Sequence, residues 1–377
     1  MKVVHIVLGK ANPERMNGVS KVVHQLASHM HASGTDVEVW GITATPESPI
    51  YPRAFTTRLF RQTSVFNPPD ETLLKAIIDE HADTVFHLHG GFIPVMYKIS
   101  RYLKLSGHRY VYTPHGSFNR IALQKNQWLK KLYISVYEKF LLQDAWRVQL
   151  LGQSEFDHLG KMLDLNNRVI VTNGQELDVE KSAPIAKHGI VFGFCGRLDS
   201  YYKGLDVLLQ GFADYCHREG EGELWLIGDG PDGLRLRNMT EDLGISNRVS
   251  FKGAMYGEIK GKHLAAMDFF CHPSRSEGSP TAVLEAAAHG KPVLVTTATN
   301  VGEQVDLYRC GIHLRELNRD SISEALENLR NHYLKNTHVA MGKQSRQMVE
   351  HEFSWQKVTQ QLLDIYQQTQ HVSTECQ

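Results

Sequence analysis

Residues 274–292 read Ser274-Arg275-Ser276-Glu277-Gly278-Ser279-Pro280-Thr281-Ala282-Val283-Leu284-Glu285-Ala286-Ala287-Ala288-His289-Gly290-Lys291-Pro292. An apolar run at 269–271 precedes the stretch and another at 292–296 closes it. Ser279 suits an N-cap and Pro280 the first helical position. Gly290 suits the helix end, and Pro292 opens the next strand. The pattern therefore predicts strand, loop, short helix and strand, which is one βαβ unit. Glu277 falls in the loop before the helix and Glu285 inside it. Gly278, Ser279, Pro280 and Thr281 lie at the helix N-terminus, where free amides and the positive dipole end suit a diphosphate. Carboxylates beside such an anion site suit hydroxyls, one on a sugar and one on a ribose. The plain alternative is a capped helix with two solvated acids.

Outward from this unit the same alternation fills the chain. Apolar runs at 3–8, 37–42, 84–88, 110–113, 147–150 and 169–172 are separated by helical stretches such as 19–31 and 127–142. A second series follows at 190–195, 223–227, 249–251, 269–271 and 292–296. Continuous apolar strands alternating with helices imply parallel sheets covered on both faces. The fold class expected is α/β, with two doubly wound Rossmann-like domains facing each other across a cleft. The polar stretch NGQELDVEKSAPIAKHG divides the two series. The expected domains are 1–174, a linker over 175–188, 189–353, and a C-terminal helix and tail over 354–377 that can cross back to the first domain. Ligands of open α/β sheets bind beyond the carboxyl ends of the strands, so the expected site lies there.

With 377 residues, 42% of them hydrophobic, the chain can build cores without disulfide or metal staples. The five cysteines form no Cys-x-x-Cys pair, which reads as free thiols. No apolar run approaches a signal-peptide core or a membrane span. The expected location is cytoplasmic, at the inner face of the cell membrane if lipid is contacted. Net charge is zero but uneven: residues 1–177 carry 20 Lys and Arg against 15 Asp and Glu, and the remainder carries the opposite excess.

A second polar string, Cys195-Gly196-Arg197-Leu198-Asp199-Ser200-Tyr201-Tyr202-Lys203-Gly204, follows the strand at 190–195. Arg197 can grip phosphate oxygens with a two-pronged fork, and Lys203 can act as a point charge. Both would stabilise charge growing on a departing diphosphate. The protein then supplies the charge that a divalent cation would otherwise bring, so neither a metal nor a cofactor is expected.

Together these two strings resemble the group-1 family of retaining glycosyltransferases of the GT-B type. Glu277 and Glu285 match that family's Glu-x7-Glu motif, and Arg197 and Lys203 its phosphate-binding pair. Asn173-Gly174, Leu226-Ile227-Gly228-Asp229-Gly230-Pro231 and Asp268-Phe269-Phe270-Cys271-His272-Pro273-Ser274 match further pieces. The resemblance implies transfer of a sugar from a nucleotide diphosphate sugar, UDP before GDP, to a glycan or lipid-linked glycan of envelope polysaccharide biosynthesis. It also implies front-face attack, with the leaving phosphate helping to deprotonate the acceptor. In the first domain, the loop 9–18 is similar to the family's glycine loop, with Asn17-Gly18 where two glycines are usual; Gly18 allows close approach to the ligand. His115, in Thr113-Pro114-His115-Gly116, matches a histidine expected on the donor sugar or the acceptor.

Other features carry weaker expectations. His87 and His89 end a strand and are expected to line the acceptor's side of the site rather than bind metal. The segment 127–142 draws one apolar helical stripe with lysines beside it, which predicts a helix packed on the core, or alternatively peripheral contact with an anionic membrane. Gly228-Asp229-Gly230-Pro231-Asp232-Gly233 fits a dinucleotide fingerprint, but no acid stands about 20 residues on, which argues against an NAD-dependent oxidoreductase. A sugar-nucleotide epimerase on the same scaffold is the other alternative. No nucleic-acid partner is expected.

Overall fold

The computed structural model describes residues 1–371 apart from 13–17, 48–51, 65–66, 125, 178–184 and 188. Asn17 lies outside the described residues. The chain divides into two units, Met1–Gly174 with Trp355–Gln377, and Gln175–Ser354.

The first unit holds seven parallel strands: β1 (Lys2–Leu8), β2 (Asp36–Thr43), β3 (Thr56–Arg61), β4 (Val85–His89), β5 (Tyr110–Thr113), β6 (Arg147–Leu150) and β7 (Arg168–Ile170). Their order is β3-β2-β1-β4-β5-β6-β7. The second unit holds β8 (Val191–Cys195), β9 (Glu223–Ile227), β10 (Val249–Gly253), β11 (Phe269–His272), β12 (Val293–Thr296) and β13 (Gly311–Leu314), in the order β10-β9-β8-β11-β12-β13. The strand order reverses direction between β1 and β4 and between β8 and β11. Such a switch point splays the connecting loops apart and leaves a crevice at the carboxyl ends. The central strands β4, β5, β8 and β11 are buried along their whole length, so apolar residues dominate them, with His87, His89, Thr113 and His272 the polar exceptions. Edge strands β3 and β13, missed by the sequence reading, are only partly buried and carry a mixed pattern.

The C-terminal helix Trp355–His371 packs in the first unit, where Val358, Leu362 and Tyr366 join the core formed by Val3, Val23 and Met30. Residues 175–188, expected as a linker, belong to the second unit as far as they are described. Leu177 and Ile185 pack against its core, because a few apolar side chains suffice to fix a polar stretch.

The single helix expected over 127–142 is three pieces: Gln127–Tyr133, a π-helical turn at Ile134–Glu138, and Lys139–Asp144. The wider turn carries one extra residue, which rotates the third piece by about 100° and splits the stripe. Ile134, Leu141 and Leu142 turn into the core. Trp128, Leu129 and Leu132 are instead 82%, 69% and 63% exposed. The core-packing expectation for this face is therefore corrected. Among the described residues, no helix is long and apolar enough to cross a membrane.

Candidate active site

The second unit gathers its polar side chains where β8 and β11 end. Arg197 sits two residues beyond β8, exposed and, among the described residues, unpaired. Its loop rests directly on the turn after β9. A Cβ on Gly228, whose φ is +143°, would fall 1.8 Å from the carbonyl oxygen of Gly196. One on Gly230 would fall 2.5 Å from that of Leu198. The spacing that fits a dinucleotide fingerprint thus serves backbone packing under Arg197.

Past Arg197, Asp199 caps the short helix Ser200–Lys203, accepting from the Tyr202 amide at 3.3 Å. Gly204 follows at φ +66°, so close to the end of β11 that a Cβ would stand 2.1 Å from the Pro273 carbonyl oxygen. That approach delivers Lys203 to Glu277, and the two form an ion pair. Arg275 locks the turn, binding Asp206 through two nitrogens at 2.8 and 2.9 Å and the carbonyls of Ser200 and Tyr201 at 3.2 Å each.

Glu277 is the centre of this cluster. His272 Nε2 lies 2.6 Å and Ser274 Oγ 2.9 Å from its Oε1, the oxygen that also takes Lys203. Burial works against the charge of Glu277. The His272 hydrogen bond and the Lys203 charge outweigh it and hold the carboxyl down at about 2. Burial lowers His272, which stacks between Phe194 and Phe270 and is therefore a neutral donor through Nε2. Asn300 braces the loop by donating to the carbonyls of Glu277 at 3.0 Å and Gly278 at 3.4 Å. Sequence reasoning missed His272, Ser274, Arg275 and Asn300 as site builders. His272, Ser274 and Arg275 lie in stretches already quoted; Asn300 gave no signal of its own.

The helix expected after Ser279 spans Thr281–Ala288, with buried Pro280 at the N-cap position and no side-chain cap. Ser279 is thus not the cap. Its hydroxyl is buried without a hydrogen-bond partner among the described residues. Thr281 is the exposed first helical residue. Glu285, one turn on, pairs with Lys260 at 2.6 Å.

In the first unit, His115 follows β5 in the left-handed region at φ 53°. Gly18 opens the helix Gly18–Ala32, exposed, and a Cβ there would meet nothing within 4 Å. His87 and His89 are not an exposed lining: both are buried. His89 Nδ1 lies 3.0 Å from His115 Nε2, and its Nε2 lies 2.9 Å from His5 Nδ1. His5 Nε2 in turn lies 3.3 Å from Met30 Sδ. His87 lies 2.5 Å from the Tyr366 hydroxyl and 2.6 Å from that of Thr113. The sequence pointed these rings outward because alternation fixes a face of the sheet. It does not say that the C-terminal helix covers that face.

The atoms of His5, His87 and His89 are close enough to hold an ion. Yet the rings of His87 and His89 stack 4.1 Å apart at 30°, so their in-plane lone pairs run nearly side by side instead of converging. Buried Glu155 accepts from the amides of Phe118 at 3.1 Å and Leu151 at 3.3 Å, fixing the turn after His115. A groove of about 740 Å³ opens elsewhere in this unit, at the amino ends of β5 and β6 beside Arg109, Trp146 and Arg147. It contains none of the expected site residues.

Residues 175–348 match the family described as glycosyl transferases group 1, and residues 16–178 match glycosyltransferase family 4. The chain is 30% identical over 242 residues to a GDP-mannose-dependent monoacylated alpha-(1-6)-phosphatidylinositol monomannoside mannosyltransferase of Corynebacterium glutamicum, covering 62% of this chain and 61% of that one. It spans 43% to 61% of the length of the foremost curated relatives. Sucrose-phosphate synthase from Thermosynechococcus elongatus shares the fold with a TM-score of 0.76 at 18% identity, over 98% of both chains. HepE from Anabaena, solved in complex with UDP and glucose, gives 0.68 at 16% identity, over 97% of this chain and 98% of that one.

Proposed function

Since the chain belongs to the group 1 glycosyl transferases, we propose that it moves a sugar from a nucleoside diphosphate onto a hydroxyl of a glycan or glycolipid, with retention and without a metal. The observation that carries this is the Lys203–Glu277 pair in the same cluster as exposed Arg197 and the Ser279 hydroxyl, which is buried without a partner among the described residues. A diphosphate set there would accept from Ser279 and from the helix amides, while Arg197 and Lys203 neutralise it. Glu277, ionised at any working pH, is an acceptor for a sugar hydroxyl rather than a proton donor. Glu285 would exchange Lys260 for the ribose.

In the transfer, the bond from the anomeric carbon to the phosphate oxygen breaks, and its electron pair leaves on the diphosphate. The acceptor oxygen bonds the same face of that carbon. Its proton passes to the departing phosphate oxygen. Arg197 and Lys203 hold the charge as it grows, which is where preorganised charge accelerates most. The Corynebacterium relative is a GDP-mannose enzyme and HepE was solved with UDP, which supports a nucleoside diphosphate donor and leaves the base to experiment.

The test is release of nucleoside diphosphate from UDP- and GDP-sugars, with and without a lipid-linked glycan extract, in excess EDTA. Release that needs the extract and survives EDTA is expected. Conversion of the nucleotide sugar to its epimer without an acceptor and without net release of diphosphate would point to an epimerase, and loss in EDTA with recovery on Mg²⁺ would remove metal independence.

A membrane-borne acceptor suits the exposed face of Trp128, Leu129 and Leu132, with Lys131 over the Trp128 ring at 5.4 Å and Lys139 along the same segment. Apolar side chains ringed by lysine favour an anionic lipid surface. The protein is expected to float with anionic vesicles at low salt and to lose most of that binding in Trp128→Ala/Leu132→Ser. Equal flotation with neutral vesicles, or none with anionic ones, would sink this contact.

A further inference from the structure

Three histidines and a methionine of the first unit are joined end to end, and the direction of their hydrogen bonds follows from chemistry. A thioether sulfur only accepts, so His5 Nε2, 3.3 Å from Met30 Sδ, carries the proton. A neutral imidazole has one N–H, so His5 Nδ1 is bare and must accept from His89 Nε2 at 2.9 Å. His89 Nδ1 is then bare and accepts from His115 Nε2 at 3.0 Å. The proton of His115 therefore points inward, and its Nδ1 is the bare nitrogen.

We propose that Met30, His5 and His89 form a one-way hydrogen-bond chain that fixes His115 as an acceptor at Nδ1, so that this position selects substrates by a hydroxyl that donates to it. The selection of a sugar hydroxyl rests on the glycosyl transfer proposed above; the chain itself does not. Burial keeps the rings neutral: it holds His5 down at about 3 and His115 at about 4, and drives His89 well below its ordinary value. An unconstrained imidazole would offer either nitrogen, and could donate to an ether oxygen as readily as it accepts from a hydroxyl. His5, His89 and Met30 are positioning residues that act through His115. They are buried, and the hydroxyl that His115 meets is not theirs. Glu155, pinning the turn after His115, keeps the ring in line with His89.

The experiment is nitrogen NMR on the whole ligand-free chain, deuterated and labelled with ¹⁵N in histidine. Signals are assigned through His115→Gln and His89→Gln. Couplings across the hydrogen bonds are expected from His115 Nε2 to His89 Nδ1 and from His89 Nε2 to His5 Nδ1, with Nδ1 of all three bare. A proton on Nδ1 of His115 overturns the proposal. Met30→Leu conserves volume and should leave the fold intact. It should shift the tautomer ratio at His5 by roughly fivefold, the scale of one net hydrogen bond, and split the His115 signal. A His115 spectrum unchanged by Met30→Leu would overturn the sulfur as the anchor. The spectra as expected in a protein that turns over no nucleotide sugar would sink glycosyl transfer and leave the chain standing. Turnover with Nδ1–H at His115 would do the reverse.

Discussion

Lys203→Ala is expected to fail in two measurements, whereas Arg197→Ala fails in one. Each removes a charge that stabilises the leaving diphosphate, so each should lower kcat/KM by roughly 10²–10³-fold. The sequence alone would expect both variants to stay equally stable, as surface cations of an open site. The structure separates them. Lys203 is 19% exposed and pairs with Glu277, which is 10% exposed, whereas Arg197 is exposed and, among the described residues, unpaired. Removing one partner of a fully buried pair leaves the other charge uncompensated, at a cost of about 3–5 kcal/mol, and a partly exposed pair such as this one costs less. The His272 and Ser274 hydrogen bonds to Glu277 lower the cost further. Lys203→Ala should therefore unfold at a clearly lower urea concentration, and Arg197→Ala at the wild-type one. Adding Glu277→Gln to Lys203→Ala should recover most of the lost stability and none of the turnover. A wild-type urea midpoint for Lys203→Ala would show that the pair is not what holds Glu277, and near-normal kcat/KM in either single variant would remove that residue from the phosphate site.

Acid is expected to open the first unit before the second. His5, His87, His89 and His115 all have their pKa values lowered, with burial the largest cause. The unfolded chain binds these protons below pH 6.5 while the folded chain does not, so stability is lost as pH falls. For His5, held at about 3, the loss at pH 4 amounts to about 3 kcal/mol, from 1.36 kcal/mol per pH unit. Glu138 and Glu155 oppose this. Burial raises both to about 7, so the folded state takes up their protons first and gains stability as pH falls from 7 towards 4.5. These four histidines against two carboxylates leave a net loss below pH 6.5; His24 and His108, also lowered, add to it, and as pH falls further the lowered Glu38 and Asp70 lose their contributions too. In the second unit Glu277, held at about 2, gives up its contribution only between its ordinary value of 4.5 and 2, although neutral His272 and His289 add a smaller acid loss there. Hydrogen exchange followed by mass spectrometry, corrected for intrinsic rates, should show peptides of β1, β4 and β5 losing protection between pH 6.5 and 4 ahead of β8 and β11. Simultaneous loss in both units would contradict the assignment of the histidines as neutral core.

The sequence by itself determined the two parallel-sheet units and the loop that carries Glu277. Fully buried strands are predominantly apolar, and a strand, a loop and a helix of this length can be read from residue type alone. It also put Arg197 and Lys203 at the carboxyl end of a strand, because that end is fixed by chain direction. Only the tertiary structure decided what meets what. His272 and Glu277 are five residues apart, but Lys203 reaches them from 74 residues away, across a glycine that lets one backbone touch another. His87 and His89 looked like a lining until the C-terminal helix, nearly 280 residues on, closed over them through Tyr366. The stripe at 127–142 looked like a core helix, and one extra residue in a π-turn sent half of it to the surface. Periodicity reports which face a side chain shares with its neighbours. Whether that face meets a core, a partner side chain or water depends on segments distant in sequence, whose approach no local pattern encodes.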